Sequence, residues 1–248
     1  MELSAKRVSA WLIALIAAVV LSVGLYGCSS NGGNNESSDQ QAASVSASSA
    51  EPTPLEIIDS GYSIEEYMSG SFVENWGVVV ENKNTNWAAQ DIKLIITGRD
   101  ADGKVVGTDY EYLTALFAGG KQAIGGSSYF DDAETLEFRI EESKNMWLEE
   151  ELKQSDVDTV WYAKDLNEKT KYDETTVSGE VVNESQSSLP YCSVNVLFLN
   201  DAGEIVGGGN ASVDTVPAGS SIPFSLSVGF LPKYSSVQAY VDPGMPEE

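Results

Sequence analysis

Gly103-Lys104-Val105-Val106-Gly107 returns one hundred residues later as Gly203-Glu204-Ile205-Val206-Gly207. Each copy follows a turn-forming stretch, Asp100-Ala101-Asp102 in the first and Asn200-Asp201-Ala202 in the second. Glycine closes both turns, where it supplies a positive φ without a Cβ penalty. Two further matches keep the offset of 100: Ala118-Gly119 with Ala218-Gly219, and the run Ile92, Lys93, Leu94, Ile95, Ile96 with Cys192, Ser193, Val194, Asn195, Val196. Upstream, Val80-Glu81-Asn82 aligns with Val181-Val182-Asn183 at 101, as a one-residue difference in the intervening loop would give. Solenoid repeats recur every ~20–50 residues, so this longer period means tandem domains.

Short β-rich runs separated by turn residues fill both copies. The candidate strands of the first are Leu55–Ile58, Trp76–Glu81, Ile92–Thr97, Lys104–Tyr112, Gln122–Phe130 and Leu136–Ile140. Those of the second are Val160–Ala163, Thr176–Asn183, Tyr191–Leu199, Glu204–Ser212, Ser221–Val228 and Val237–Val241. Alternation predicts that Ile92, Leu94 and Ile96 point inward, as do Cys192, Val194, Val196 and Phe198. Glu141–Lys153, with Trp147, Leu148 and Leu152 among acids, is the one stretch expected to be helical, with an acidic connector as the alternative. The expected fold class is all-β: two tandem immunoglobulin-like β-sandwich domains, residues 55–150 and 151–248, after a signal peptide and a disordered tether.

The pattern resembles the FxLYD domain of bacterial extracytoplasmic lipoproteins. Gly179, Val181, Asn183, Val194, Val196, Gly203, Val206, Pro217, Gly219 and Phe224 carry it in copy two; Asn82, Leu94, Ile96, Asp100, Gly103, Val106 and Gly119 carry it in copy one. The naming motif is degenerate in both, as Val196-Leu197-Phe198-Leu199-Asn200 and Ile96-Thr97-Gly98-Arg99-Asp100. The resemblance implies a sandwich fold and no particular chemistry.

Toward the N-terminus the texture changes. Lys6 and Arg7 precede an uncharged, mostly aliphatic run, Val8 to Tyr26, which ends at Leu25-Tyr26-Gly27-Cys28. That is the layout of a secretory signal, and its end resembles the bacterial lipoprotein signal. The resemblance implies cleavage after residue 27 and a lipid on the Cys28 sulfur, hence a membrane partner through that lipid. An uncleaved helix over residues 8–26 would give the same topology, since the uncharged run is close to the ~20 residues that span a bilayer. Residues 28–54 are rich in Ser, Asn, Gln and Ala, cannot bury a core, and are expected to form a disordered tether on the order of 25–30 Å in mean span.

Composition narrows the function. The chain has 14 basic and 38 acidic residues, a formal charge of −24, and loss of Glu2, Lys6 and Arg7 with the signal would make it more acidic still. That balance excludes nucleic acid as a partner, because phosphates demand a basic surface. The chain has no histidine, which removes Ser-His-Asp and Cys-His catalysis and histidine metal sites together. With Cys28 lipidated, Cys192 has no disulfide partner and reads as a buried strand thiol.

The remaining candidates read as structure. Gly98-Arg99-Asp100-Ala101-Asp102-Gly103 has part of a calcium-loop spacing, but the first ligand position falls on Gly98, and a hairpin turn explains both copies. Glu149-Glu150-Glu151, with Asp156 and Asp158, reads as a solvated face. Gly207-Gly208-Gly209 lacks the helix and Lys-Ser/Thr pair of a phosphate loop. Three glycosylation triplets, at Asn35, Asn183 and Asn210, are expected to be incidental. Trp76 and Trp161 are expected in the core, and Trp87, in the loop Asn84-Thr85-Asn86-Trp87, is the expected exposed contact.

No catalytic residue, cofactor or metal is expected. The expected function is a non-catalytic, membrane-anchored extracytoplasmic lipoprotein, a binding or interaction module at the bacterial cell surface with a protein or glycan partner. The alternative is a ligand- or cation-binding lipoprotein with a site between the two domains.

Overall fold

Ile92, Leu94 and Ile96 are fully buried, while Lys93, Ile95 and Thr97, which alternate with them, are only half-buried. This alternation makes the segment one layer of a sandwich. In the computed structural model residues 51–243 are described. The expected signal peptide, Cys28 and the expected tether up to residue 50 lie outside the described residues, as do residues 244–248.

The first half has strands β1 (Glu56–Met68), β2 (Ser71–Asn82), β3 (Trp87–Arg99), β4 (Val105–Leu116), β5 (Gly120–Ser128) and β6 (Thr135–Glu141). They form antiparallel sheets β1-β2-β5 and β4-β3-β6, and a short β7 (Trp147–Glu149) pairs with the start of β3. Helix α1 (Gln154–Val160) leads into the second half: β8 (Trp161–Lys171), β9 (Glu174–Asn183), β10 (Cys192–Leu199), β11 (Ile205–Val213), β12 (Ser220–Gly229) and β13 (Ser236–Asp242). Its sheets are β8-β9-β12 and β11-β10-β13, the same order strand for strand. The repeat in the sequence is therefore a repeat of topology, with the strands divided between two sheets as in immunoglobulin-like sandwiches. Among the described residues the fold is all-β apart from α1.

The helix expected over Glu141–Lys153 is corrected. Glu141 ends β6, Trp147–Glu149 forms β7, and the helix starts only at Gln154. The start of β3 offers an open edge, and Trp147 and Leu148 add to it while Met146 fills the first core. The acids that suggest a helix face are instead strand end and connector. Strand β8 runs well beyond Val160–Ala163, because it is a polar edge strand whose residues from Lys164 to Lys171 are exposed and carry no apolar alternation. Its bulge between Lys164 and Asn167 keeps that edge irregular.

Each half has its own core. Trp76, Val78 and Val80 of β2 meet Ile92, Leu94 and Ile96 of β3. In the second half Cys192, Val194, Val196 and Phe198 of β10 meet Val177, Val181, Phe224, Leu226 and Val228. The positions predicted to face inward do so. The opposite faces of β2 and β10 are also covered: Val79 and Ala123 pack against Leu197, Leu199 and Ile205. Sheet β11-β10-β13 thus lies on sheet β1-β2-β5, the four sheets stack in layers, and residues from Pro52 onward form one compact unit.

Glycine sets the spacing at this junction. A Cβ on Gly208 would stand 2.5 Å from the Trp76 carbonyl oxygen, and one on Gly125 would stand 2.7 Å from the Val196 oxygen and the Gly209 nitrogen. The facing sheets touch backbone to backbone. Side-chain amides complete the contact: the Gly125 N–H donates to Asn195 Oδ1 at 3.3 Å, and Asn210 Nδ2 donates to the Gly125 carbonyl at 2.9 Å. Asn195 and Asn210 are cross-strand partners in β10 and β11, so together they cap the free edge of β5. Asp242 does the same for β4, accepting from the Thr114 and Ala115 N–H groups at 2.6 and 3.2 Å.

Candidate functional site

The Asp100–Gly103 segment is a hairpin turn. Asp100 Oδ1 accepts from the Asp102 and Lys104 N–H groups at 3.1 and 2.8 Å, and Gly103 has φ 78°. The second copy repeats this geometry: Asn200 Oδ1 accepts from Ala202 and Glu204 N–H at 2.9 and 3.0 Å, and Gly203 has φ 81°. An amide replaces the carboxylate with no change of shape, so the turn needs an acceptor rather than a charge. Asp100 and Asp102 border an open concavity of about 630 Å³ with Asp132 and Glu134. Among the described residues no group of three or more acidic or sulfur side chains is placed to hold a metal ion.

The acidic run at Glu149–Asp158 makes local contacts. Glu150 Oε1 accepts from the Leu152 N–H, Asp156 Oδ2 from the Lys153 N–H at the start of α1, and Asp158 Oδ1 from Gln154 Nε2. These carboxylates shape the connection into the second half. Trp76 is buried and Trp161 is half-buried with its Nε1–H on Asn183 Oδ1. Trp87 is not the exposed contact expected: it opens β3, pairs with Glu149 and is half-buried. Asn183 is fully buried. Gly207-Gly208-Gly209 serves the packing of β11.

Exposed and half-buried aromatics meet at two other places. On the outer face of β4-β3-β6, Tyr110 and Tyr112 meet edge to face at 5.7 Å, with Lys93 over Tyr110. The cations of this face are matched by its own carboxylates, Lys93 and Arg139 by Glu141 and Arg99 by Glu137.

The second place runs across both halves. Tyr67, near the end of β1, has its ring centroid 5.9 Å from that of Tyr129, just after β5, and 5.9 Å from that of Phe230, just after β12. Tyr129 is 67% exposed. Beside this strip Glu65, Glu66, Asp173, Phe230, Leu231 and Pro232 line a concavity of about 320 Å³. Sequence reasoning missed all three aromatic residues. The signal for Phe230 is a break in the repeat. The strand ladders match at an offset of 100 as far as Ser128 and Val228. Thereafter Leu231 covers Gly207 as Phe130 covers Gly107, an offset of 101. Gly229 and Phe230 therefore stand where the first copy has Tyr129 alone. Phe230 takes φ 56°, a left-handed conformation uncommon for a bulky side chain.

No protein-family model matches this chain, and no curated protein does. Solved structures overlap it weakly. A β-glucuronidase of glycoside hydrolase family 2 is 12% identical over 66% of this chain and 13% of its own, with a TM-score of 0.29. Red sea bream transglutaminase is 9% identical over 76% and 30%, with a TM-score of 0.21. A calcium-binding mutant of Bacteroides uniformis β-glucuronidase 2 is 10% identical over 73% and 23%, also at 0.21. The chain spans less than a third of the length of each, and overlaps this weak bear on no activity.

Proposed function

We propose that this chain is a non-catalytic, extracytoplasmic lipoprotein, held to the bacterial cell membrane by lipid on Cys28, whose two FxLYD-like halves act as an interaction module. The observation that carries the binding role is the aromatic strip Tyr129–Tyr67–Phe230, in which exposed Tyr129 and half-buried Tyr67 of the first half join half-buried Phe230 of the second. Aromatic rings with few rotatable bonds are the side chains most used to anchor partners. The backbone contact of Gly125 and Gly208 fills the space between the facing sheets, which favours a partner on the outer surface over a ligand enclosed between the halves. Anchoring rests on Leu25-Tyr26-Gly27-Cys28 behind the uncharged run from Val8.

Metabolic labelling with radioactive palmitate tests the anchoring. We expect label on the parent protein, none on Cys28→Ala, and release of Cys28→Ala from the membrane fraction with its sheets intact. A Cys28→Ala protein that stays membrane-bound would establish the uncleaved helix instead. Cross-linking on intact cells, comparing the parent with Tyr129→Ala, tests the binding role: an unchanged cross-linking pattern counts against it.

A further inference from the structure

We propose that the strip Tyr129–Tyr67–Phe230, with Glu65, Glu66 and Asp173 beside it, docks a basic peptide segment of a partner protein. Lysine or arginine side chains lie on the rings while the carboxylates take their charge. This names the partner for the interaction module and rests on that reading.

Phe230 carries much of the argument. It stands where the repeat gains one residue, and it lies outside the second core, whose Gly207 is covered by Leu231. Its left-handed backbone is held from two sides. Its N–H donates to the Asp173 carbonyl at 2.5 Å, and fully buried Asn75, from the other half, donates through Nδ2 to the Gly229 and Phe230 carbonyls at 2.8 and 3.3 Å. Ser127 Oγ in turn fixes Asn75 by donating to its Oδ1 at 2.8 Å. Strain retained by surrounding structure is a feature of binding sites, and here the first half holds the second half's aromatic residue in place.

Charge selects the occupant. Among the described residues Glu65, Glu66 and Asp173 have no lysine or arginine within ion-pair distance, whereas Lys83 lies between Glu56 and Glu81 and Lys121 also meets Glu81. An aromatic face attracts a cation, most strongly an alkylammonium or guanidinium group with carboxylates nearby. The formal charge of −24 steers basic partners toward the surface and repels acidic ones. Spacing selects a peptide. Alternate side chains of an extended segment stand about 6.6 Å apart, close to the 5.9 Å between successive rings.

The test is calorimetric titration of the full chain with an eight-residue peptide of alternating lysine and serine. The double variant Tyr129→Ala/Phe230→Ala, which leaves the charge unchanged, should bind about tenfold more weakly than the parent. Tyr129→Ala alone, at an exposed position, should weaken binding about threefold with an unchanged melting temperature. Glu149→Gln/Glu150→Gln/Glu151→Gln should bind as the parent does. Equal binding by the parent and both aromatic variants would overturn the proposal by showing adsorption to the acidic surface. So would weakening by the glutamine triple variant as great as that of Glu65→Gln/Glu66→Gln. Displacement of the peptide by equimolar tetramethylammonium would overturn it in favour of a small-cation site. Failure here with Cys28 still labelled faults this surface alone, and loss of labelling faults the anchoring alone.

Discussion

Gly208 lies so close to Gly125 that a Cβ on Gly208 would stand 2.8 Å from the Gly125 Cα and 2.5 Å from the Trp76 carbonyl oxygen. Neither atom is the end of a flexible side chain, so a methyl group there must push two sheets apart. We expect Gly208→Ala to destabilise the protein by about 1–3 kcal/mol, as overpacking does, and to lower Tm by roughly 2–12 °C for a unit of this size. Gly229→Ala is the control, since its nearest neighbour would be the Asp173 carbonyl oxygen at 3.8 Å. Equal melting temperatures for the two variants, measured by circular dichroism, would remove the close sheet contact from the account.

Glu74 is a carboxyl buried at the end of the first core. Its Oε2 accepts the Phe130 N–H at 3.0 Å, and its Oε1 has no hydrogen-bond partner. Burial pushes its pKa above the ordinary carboxylate value, and the nearby Asp131 charge adds to the rise. A raised folded pKa means that the folded state holds the proton more tightly than the unfolded chain. The resulting stability is present below the unfolded pKa and is lost as pH rises through the folded one. Glu74→Gln keeps the acceptor for Phe130 without the charge. We expect it to be more stable than the parent at neutral pH, by about 1–3 kcal/mol, with the gap closing toward pH 4. Thermal melts across that range decide it, and a gap independent of pH would sink the assignment.

Cys192 sits in the second core at 1% exposure. Burial, with a further push from the Asp242 charge, raises its thiol to about 12. The thiolate is the reactive species, and at pH 8 little of it forms. In a Cys28→Ser background we expect negligible reaction with a disulfide reagent in the native state and full reaction in guanidinium. Fast native labelling would mean that the second sandwich opens readily at β10.

The repeat made most of the topology legible, because matching turns at Gly103 and Gly203 and matching alternation at Ile92 and Cys192 require matching strands. The junction was not legible. Asn195, Leu197 and Asn210 face another sheet, whereas Ile95, Thr97 and Tyr110 at the same repeat positions face outward, and no local period separates the two cases. Glu141–Lys153 misled because apolar residues among acids suit a helix face, and only the open edge of β3 shows that Trp147 belongs to a strand. Phe230 was hidden because a single inserted residue leaves the short matches around Gly203 and Gly219 in register. The sheet β1-β2-β5 brings Tyr67 and Tyr129 together from two strand ends, and the stacking of the halves adds Phe230 to Tyr67.

Asn82 and Asn183 offer the sharpest test of whether the halves act as one. Asn82 Nδ2 donates to the Trp87 and Leu116 carbonyls at 2.8 and 3.1 Å, and its Oδ1 accepts the Asn84 N–H at 3.0 Å. Asn183 repeats the bracket, with Nδ2 on the Ser187 and Val216 carbonyls at 2.8 and 2.9 Å and Oδ1 on the Ser185 N–H at 3.0 Å. Both side chains are fully buried, and aspartate at either position would set a carboxylate against two carbonyls in place of a donor. We expect Asn82→Asp and Asn183→Asp each to cost about 3 kcal/mol or more, as an unsatisfied buried charge does. Because the sheets of the two halves share the Val79–Leu197 contact region, either substitution should shift one common unfolding transition. Tryptophan fluorescence reports mainly the first half through Trp76, Trp87 and Trp147, and a label on Cys192 exposed during unfolding reports the second. If Asn82→Asp moved the fluorescence midpoint in urea and left the Cys192 midpoint where it was, the halves would unfold independently and the junction would contribute little to stability.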